Sequence, residues 1–193
     1  MAMDDRSRWD RQHAESSGPE EASGLLQKLL TGEHWKISPG RVLDIACGKG
    51  RNALYLAARG FDVTAIDVSP VALDAGRRRA AERNLQVTWM QIDLERESLP
   101  GPDYDLVINF NFLQRALMPN IKTVVKAGGA IIFETYLIEQ RQLGHPRNPE
   151  YLLAHNELLD RFNDFRVLFY REGKFADGRE PSFRAGLLAQ KPA

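Results

Sequence analysis

Residues 41–52, Arg-Val-Leu-Asp-Ile-Ala-Cys-Gly-Lys-Gly-Arg-Asn, constrain the fold of this chain more than any other stretch. A short apolar run reaches the carboxylate of Asp44, a loop with Gly48 and Gly50 follows, and Ala53, Leu54, Leu56 and Ala57 then recur at helical spacing. Glycine has no Cβ, so such a loop can turn sharply and lie close against a ligand. Strand, glycine loop and helix in this order predict a βα unit that cradles a ligand at the carboxyl end of its strand.

The same unit recurs along the chain. A helix closing near Arg59-Gly60 leads into a strand at 62–66, and the strand ends in Asp67. Ser69-Pro70 supplies an N-cap and a first helical residue for a helix reaching about Asn84. A third strand at 87–92 ends in Asp93, and a fourth, at 104–109, has the continuous apolar middle of a strand covered on both faces. One or two helical turns at 112–117 and a helix from Pro119 to the Gly128-Gly129 pair precede a fifth strand at 130–133. Residues 137–151 read as a long loop, a kind of segment that often carries function. After a helix through Glu157, Leu158, Leu159 and Phe162, strands at 165–170 and 183–188 have no helix between them and should pair antiparallel. The expected fold is α/β: one Rossmann-like, doubly wound, mostly parallel sheet closed by an antiparallel hairpin. Residues 1–18 are polar and aperiodic and read as a flexible N-terminal arm; residues 19–193, opening on a helix from Pro19, form the domain.

Charge narrows the function. The 26 basic and 26 acidic side chains cancel, so no net field favours nucleic acid or an anionic membrane surface. A single cysteine, Cys47, a charged start and the absence of a long apolar run suit a soluble, cytoplasmic protein. No cluster of metal ligands is visible, and the sequence implies no oligomeric state.

Asp44, Asp67, Asp93 and the segment Asn109-Phe110-Asn111 all fall at strand ends and so converge on one crevice. The spacing Gly48-x-Gly50-x-x-Ala53 also fits a dinucleotide fingerprint, which keeps a nicotinamide-dependent oxidoreductase open as an alternative. Asp44 weighs against it, because a carboxylate beside the loop repels pyrophosphate and attracts an ammonium or a sulfonium. Asp93 offers an acceptor suited to an adenine amino group.

These motifs resemble those of the class I S-adenosylmethionine-dependent methyltransferases. Residues 42–52 match that family's apolar-apolar-D-x-x-x-G-x-G motif, Ala65-Ile66-Asp67-Val68-Ser69 its second motif and Gln91-Ile92-Asp93-Leu94 its third. Within the family, Arg8-Trp9-Asp10-Arg11-Gln12-His13 and the chain length resemble the small-molecule enzymes of the tellurite-resistance and thiopurine type. The resemblance implies S-adenosyl-L-methionine as cofactor and a small-molecule acceptor. It implies that Ala46, Cys47, Gly48, Gly50 and Asn52 cradle the methionine part, with Asp44 at its amino group or organising the loop. Asp67 would accept both ribose hydroxyls, Asp93 the adenine amino group, Val68 and Leu94 would flank the ring, and Asn109 would line its far side.

Methyl transfer from a sulfonium is an in-line displacement that demands positioning more than a catalytic side chain. If the acceptor is protonated, His13, Tyr136 or His145 is placed to act as base, and Trp9, Arg141 and Arg147 are candidates for binding the acceptor. Trp9 serves equally as an anchor for the arm, Cys47 as a packing residue, and Arg77-Arg78-Arg79 as a solvated helix face. Asn109-Phe110-Asn111-Phe112 departs from the Asn/Asp-Pro-Pro-aromatic pattern of amino-group methylases of DNA bases and glutamine, which removes those substrates. A cofactor-binding module without turnover is the non-enzymatic alternative.

Overall fold

The computed structural model describes residues 9–11, 21–32, 35–176 and 180–193. Seven strands form one sheet in the order β3-β2-β1-β4-β5-β7-β6. These are β1 (Arg41–Ile45), β2 (Asp62–Asp67), β3 (Thr88–Gln91), β4 (Tyr104–Phe110), β5 (Val125–Tyr136), β6 (Arg166–Phe175) and β7 (Ser182–Gln190). The first five run parallel, and β7 inserts antiparallel between β5 and β6. The helices are α1 (Gly24–Thr31), α2 (Arg51–Ala57), α3 (Pro70–Glu82), α4 (Met118–Val124) and α5 (Glu157–Arg161).

Alternation along the strands splits the core between the two sheet faces. Val42, Val63, Ala65, Leu106 and Ile108 pack with Leu25, Leu26 and Leu29 of α1 and with Ala53 and Leu56 of α2. Leu43, Ile45, Val107, Ile131 and Phe133 pack on the other side with Met118 and Ile121 of α4 and with Leu158 and Phe162 near α5. The doubly wound expectation therefore holds.

Three boundaries differ from expectation. Helix α1 starts at Gly24 rather than at Pro19, so Glu21 lies before it; Pro19, Glu20 and most of the arm, His13 included, fall outside the described residues. Strand β5 starts at Val125 and runs through the glycine pair that read as a helix stop. A Cβ on Gly129 would sit 2.9 to 3.1 Å from the carbonyl oxygens of Lys126, Tyr104 and Asp105, so the glycine serves a close strand approach. The long loop is held by two 3-10 turns, Ile138–Gln142 and Pro149–Tyr151.

Candidate active site

The carboxyl ends of the parallel strands open into a cavity of about 1100 Å³. Of the sequence-predicted cofactor residues, Asp44, Ala46, Cys47, Gly48, Asn52, Asp67, Val68, Asp93 and Leu94 line it. Gly50 and Asn109 are not among its lining residues. Gly50 has φ +75°, and an added Cβ would lie 2.2 Å from the Trp89 ring, so its glycine answers to backbone conformation and packing. Asn109 is fully buried and donates from Nδ2 to the Phe112 carbonyl at 2.8 Å, shaping the turn after β4; Asn111, two residues on, reaches the cavity wall.

Asp44 is only 2% exposed, and its Oδ2 has no hydrogen-bond partner among the described residues. Burial pushes its carboxyl up to about 8; the charge of Asp67 adds to this, while Arg51 and the Ala53 amide oppose it. A buried carboxyl with an unpartnered oxygen beside a cavity favours a cation that can pair with it. Asp67 is held from both sides, its Oδ2 accepting the Gly48 amide at 2.8 Å and its Oδ1 the Ser69 amide at 2.9 Å. The second motif thereby fixes the glycine loop of the first. Ser69 also caps α3 through the Ala72 amide and donates its hydroxyl to Asp10, which docks the helical residues 9–11 at the end of β2. Trp9 of that segment lines the cavity. Burial, with Asp44 and Asp67 nearby, raises the Cys47 thiol well above its ordinary range, which suits a packing role. Asn52 has a structural task as well, accepting the Ser23 amide at 2.9 Å and so tying the entry of α1 to α2.

The other half of the cavity is aromatic and cationic. Phe110, Phe112, Tyr136, Pro146 and Tyr151 line it together with His145, Arg147 and Arg115. Arg141 does not reach the wall. Arg115 pins the loop: its Nε and Nη2 donate to the two carboxylate oxygens of Glu157 at 2.7 and 2.8 Å, and the guanidinium also donates to the carbonyls of Glu150 and Leu152. Gln140 bolts the loop from below, donating to the His145 carbonyl at 3.1 Å and accepting the Phe183 amide at 2.9 Å. His155, to which the sequence assigns no role, bridges Glu139 at 2.7 Å and Glu172 at 2.5 Å.

Beneath Tyr136 lies a charge cluster that spans three strands. Gly186 stands opposite both Glu134 and Arg171 in register, and without a side chain there Arg171 reaches across β7 to Glu134 at 2.6 Å. Arg184, directly across from Tyr136, packs its guanidinium 4.3 Å from that ring's centroid and donates to the Tyr136 hydroxyl at 3.0 Å and to Asn111 Oδ1 at 2.6 Å. None of Glu134, Arg115, Arg171 or Arg184 was singled out from sequence. Their available signal was charge inside apolar strands, as in Phe183-Arg184-Ala185 and Phe133-Glu134-Thr135.

The residues fit S-adenosylmethionine on chemistry visible here: an unpartnered buried acid for a cation, a second acid at the next strand end, and apolar Val68, Ile92 and Leu94 around the third. Comparisons agree. Residues 42–129 match a family model described as a methyltransferase domain. The probable S-adenosyl-L-methionine-dependent methyltransferase TehB of Haemophilus influenzae is 29% identical over 143 residues, covering 70% of this chain and 49% of TehB. A protein named hemagglutinin 1 from Eikenella corrodens is 36% identical over 172 residues, covering 81% of this chain and 56% of that protein. The chain thus spans about half the length of these curated relatives. The crystal structure of H. influenzae TehB superposes with a TM-score of 0.76 at 23% identity, over 95% of this chain and 67% of TehB. With ordered motifs, strand order and relatives in accord, residues 42–129 carry a methyltransferase domain, and the chain is similar in sequence and fold to S-adenosylmethionine-dependent methyltransferases.

Proposed function

We propose that this chain transfers the methyl group of S-adenosyl-L-methionine to a small-molecule acceptor held under the 145–151 loop. The observation that carries this reading is the buried, unpartnered Oδ2 of Asp44, a residue that lines the cavity together with Asp67 and Asp93. A pyrophosphate brings no cation to ionise the buried Asp44 carboxyl, whereas the ammonium of the methionine part does. In the proposed complex Asp44 receives the ammonium of the methionine part, Asp67 the ribose diol, and Asp93 the adenine amino group. The Gly48 and Ser69 amides each hold one Asp67 oxygen, so the carboxylate that would meet the diol also fixes the loop.

When bound, the cofactor supplies an electrophilic methyl group on sulfur. The protein's task is then to hold an acceptor in line and exclude water. The aromatic wall provides apolar contact area, and the Arg115 and Gln140 bonds keep the loop in place over it. His145, on the wall, is the candidate base for a protonated acceptor; Tyr136 is engaged by Arg184 and acts in shaping the wall. The cavity suits a compact acceptor, and the balanced charge of the chain offers nothing to hold a polyanion.

Methyl-labelled S-adenosylmethionine incubated with the protein and a cell extract tests this reading. Label should pass into the small-molecule fraction. Label confined to protein or nucleic acid, or no protein-dependent transfer, would overturn it.

A further inference from the structure

Arg51 is the first residue of α2, half-buried, and lines the cavity. Among the described residues it forms no ion pair within 4 Å, and its one hydrogen bond is a long one, 3.4 Å to the Glu21 carbonyl. A guanidinium carries five donors, so most of its donor capacity is unused among the described residues, at a residue of the cavity wall. Arg184 stands close by, and the buried carboxylate in this cluster, Glu134, is already shared by Arg171 at 2.6 Å and Arg184 at 3.6 Å. Ser23 donates a further hydrogen bond to Glu134 at 3.3 Å. Asp44 is the other acid near Arg51, and burial holds it protonated at neutral pH. Burial and repulsion from Arg184 lower the Arg51 pKa by more than the charges of Asp44, Glu134 and Tyr136 raise it.

We propose that Arg51, backed by Arg184, is a carboxylate-receiving pole of the cavity, filled by an acidic group of a bound ligand. The inference rests on the methyltransferase reading, since two ligands could supply that carboxylate: the amino-acid part of the cofactor, or an acidic acceptor lying against Tyr136 and Asn111. A guanidinium binds a planar carboxylate with two parallel donors, which lysine cannot imitate.

Calorimetric titration separates the sources. Three probes are used: S-adenosylhomocysteine; its decarboxylated analogue 5′-deoxy-5′-(3-aminopropylthio)adenosine, which keeps the ammonium; and benzoate against benzamide, added to the protein saturated with S-adenosylhomocysteine. If the cofactor fills the pole, the wild type binds S-adenosylhomocysteine at least about tenfold more tightly than the analogue. Arg51→Gln then abolishes that preference without weakening the analogue. If an acceptor fills it, the two adenosine ligands bind alike. Benzoate but not benzamide then binds the saturated wild type, and Arg51→Gln loses benzoate. Preference for neither carboxylate, or a preference that survives Arg51→Gln, overturns the proposal. Circular dichroism checks the fold of the variant, and Arg184→Gln carries the same comparison should Arg51→Gln not fold. Failure of both adenosine ligands to bind would instead defeat the cofactor reading, leaving benzoate against benzamide on the free protein to decide the pole.

Discussion

Proton release from Asp44 offers a quantitative handle on ligand binding. Burial raises its carboxyl from the ordinary 3.8 to about 8. At pH 7 such a group is mostly protonated, whereas a carboxylate paired with an ammonium is ionised, so binding S-adenosylhomocysteine should release the larger part of one proton. Calorimetry in buffers of different ionisation enthalpy measures this number as the slope of observed heat against buffer heat. Asp44→Asn keeps an oxygen for the Ala53 amide and removes the titrating proton, so its slope should fall to near zero. Stability should move as well. The folded, ligand-free protein holds a proton that the unfolded chain loses above about pH 4, so this group makes stability fall as pH rises from 3.8 toward 8. At about 1.4 kcal/mol per pH unit, the ceiling is about 4 kcal/mol at pH 7. Ligand-free Asp44→Asn should therefore melt above the wild type at pH 7 to 8, by roughly 2–4 °C for each kcal/mol regained, while binding S-adenosylhomocysteine more weakly. A zero proton slope in the wild type, or a variant that melts lower while binding ligand equally well, would refute the assignment.

Gly76→Ala should lower Tm, although alanine ordinarily favours a helix by about 0.5–1 kcal/mol, because the new Cβ would lie 2.5 Å from the Trp89 ring. In a Trp89→Leu background the same change should raise Tm, a reversal that a thermal melt of the four proteins can check. Glu157→Gln removes the charge that, against the cost of its own burial, Arg115 and the Ala154 amide keep ionised. It should cost about 1–3 kcal/mol and expose residues 143–153 to proteases, with unchanged cleavage as the contrary result. His155 is held above the ordinary 6.5, first by its hydrogen bond to Glu172 and then by the charge of Glu139. Its clasp on the loop is therefore present at low pH and fades as pH rises through the raised value; NMR titration should show a pKa that drops toward 6.5 in Glu172→Gln.

The half of the cavity lined by the strand-end acids was legible in sequence because it is built from local pattern. Asp44, Asp67 and Asp93 each close a strand whose apolar period and following turn chemistry are continuous in the chain. Where one residue type serves two ends, the reading slipped. The Gly128-Gly129 pair reads as a helix stop, yet β5 runs through it because Gly129 lies against three carbonyls. Gly50 reads as a ligand contact, yet Trp89 occupies the space its Cβ would need. Asn109 and Asn111 flank Phe110, and only the turn geometry decides that Asn109 is buried and Asn111 reaches the wall. The aromatic half is assembled across long separations: Arg115 meets Glu157, 42 residues on, and Arg184 meets Asn111 from 73 residues away. Pairings of that kind leave no periodic trace.

The central claim is that the strand-end acids hold an adenosine cofactor, and Asp67 tests it most directly because its carboxylate also fixes the glycine loop. Calorimetric titration of the intact protein with S-adenosylhomocysteine should show one site per chain. Asp67→Ala should weaken it by at least about tenfold, the loss expected from one or more charge-assisted hydrogen bonds. No heat of binding to the intact protein, or the same affinity in Asp67→Ala, would contradict it.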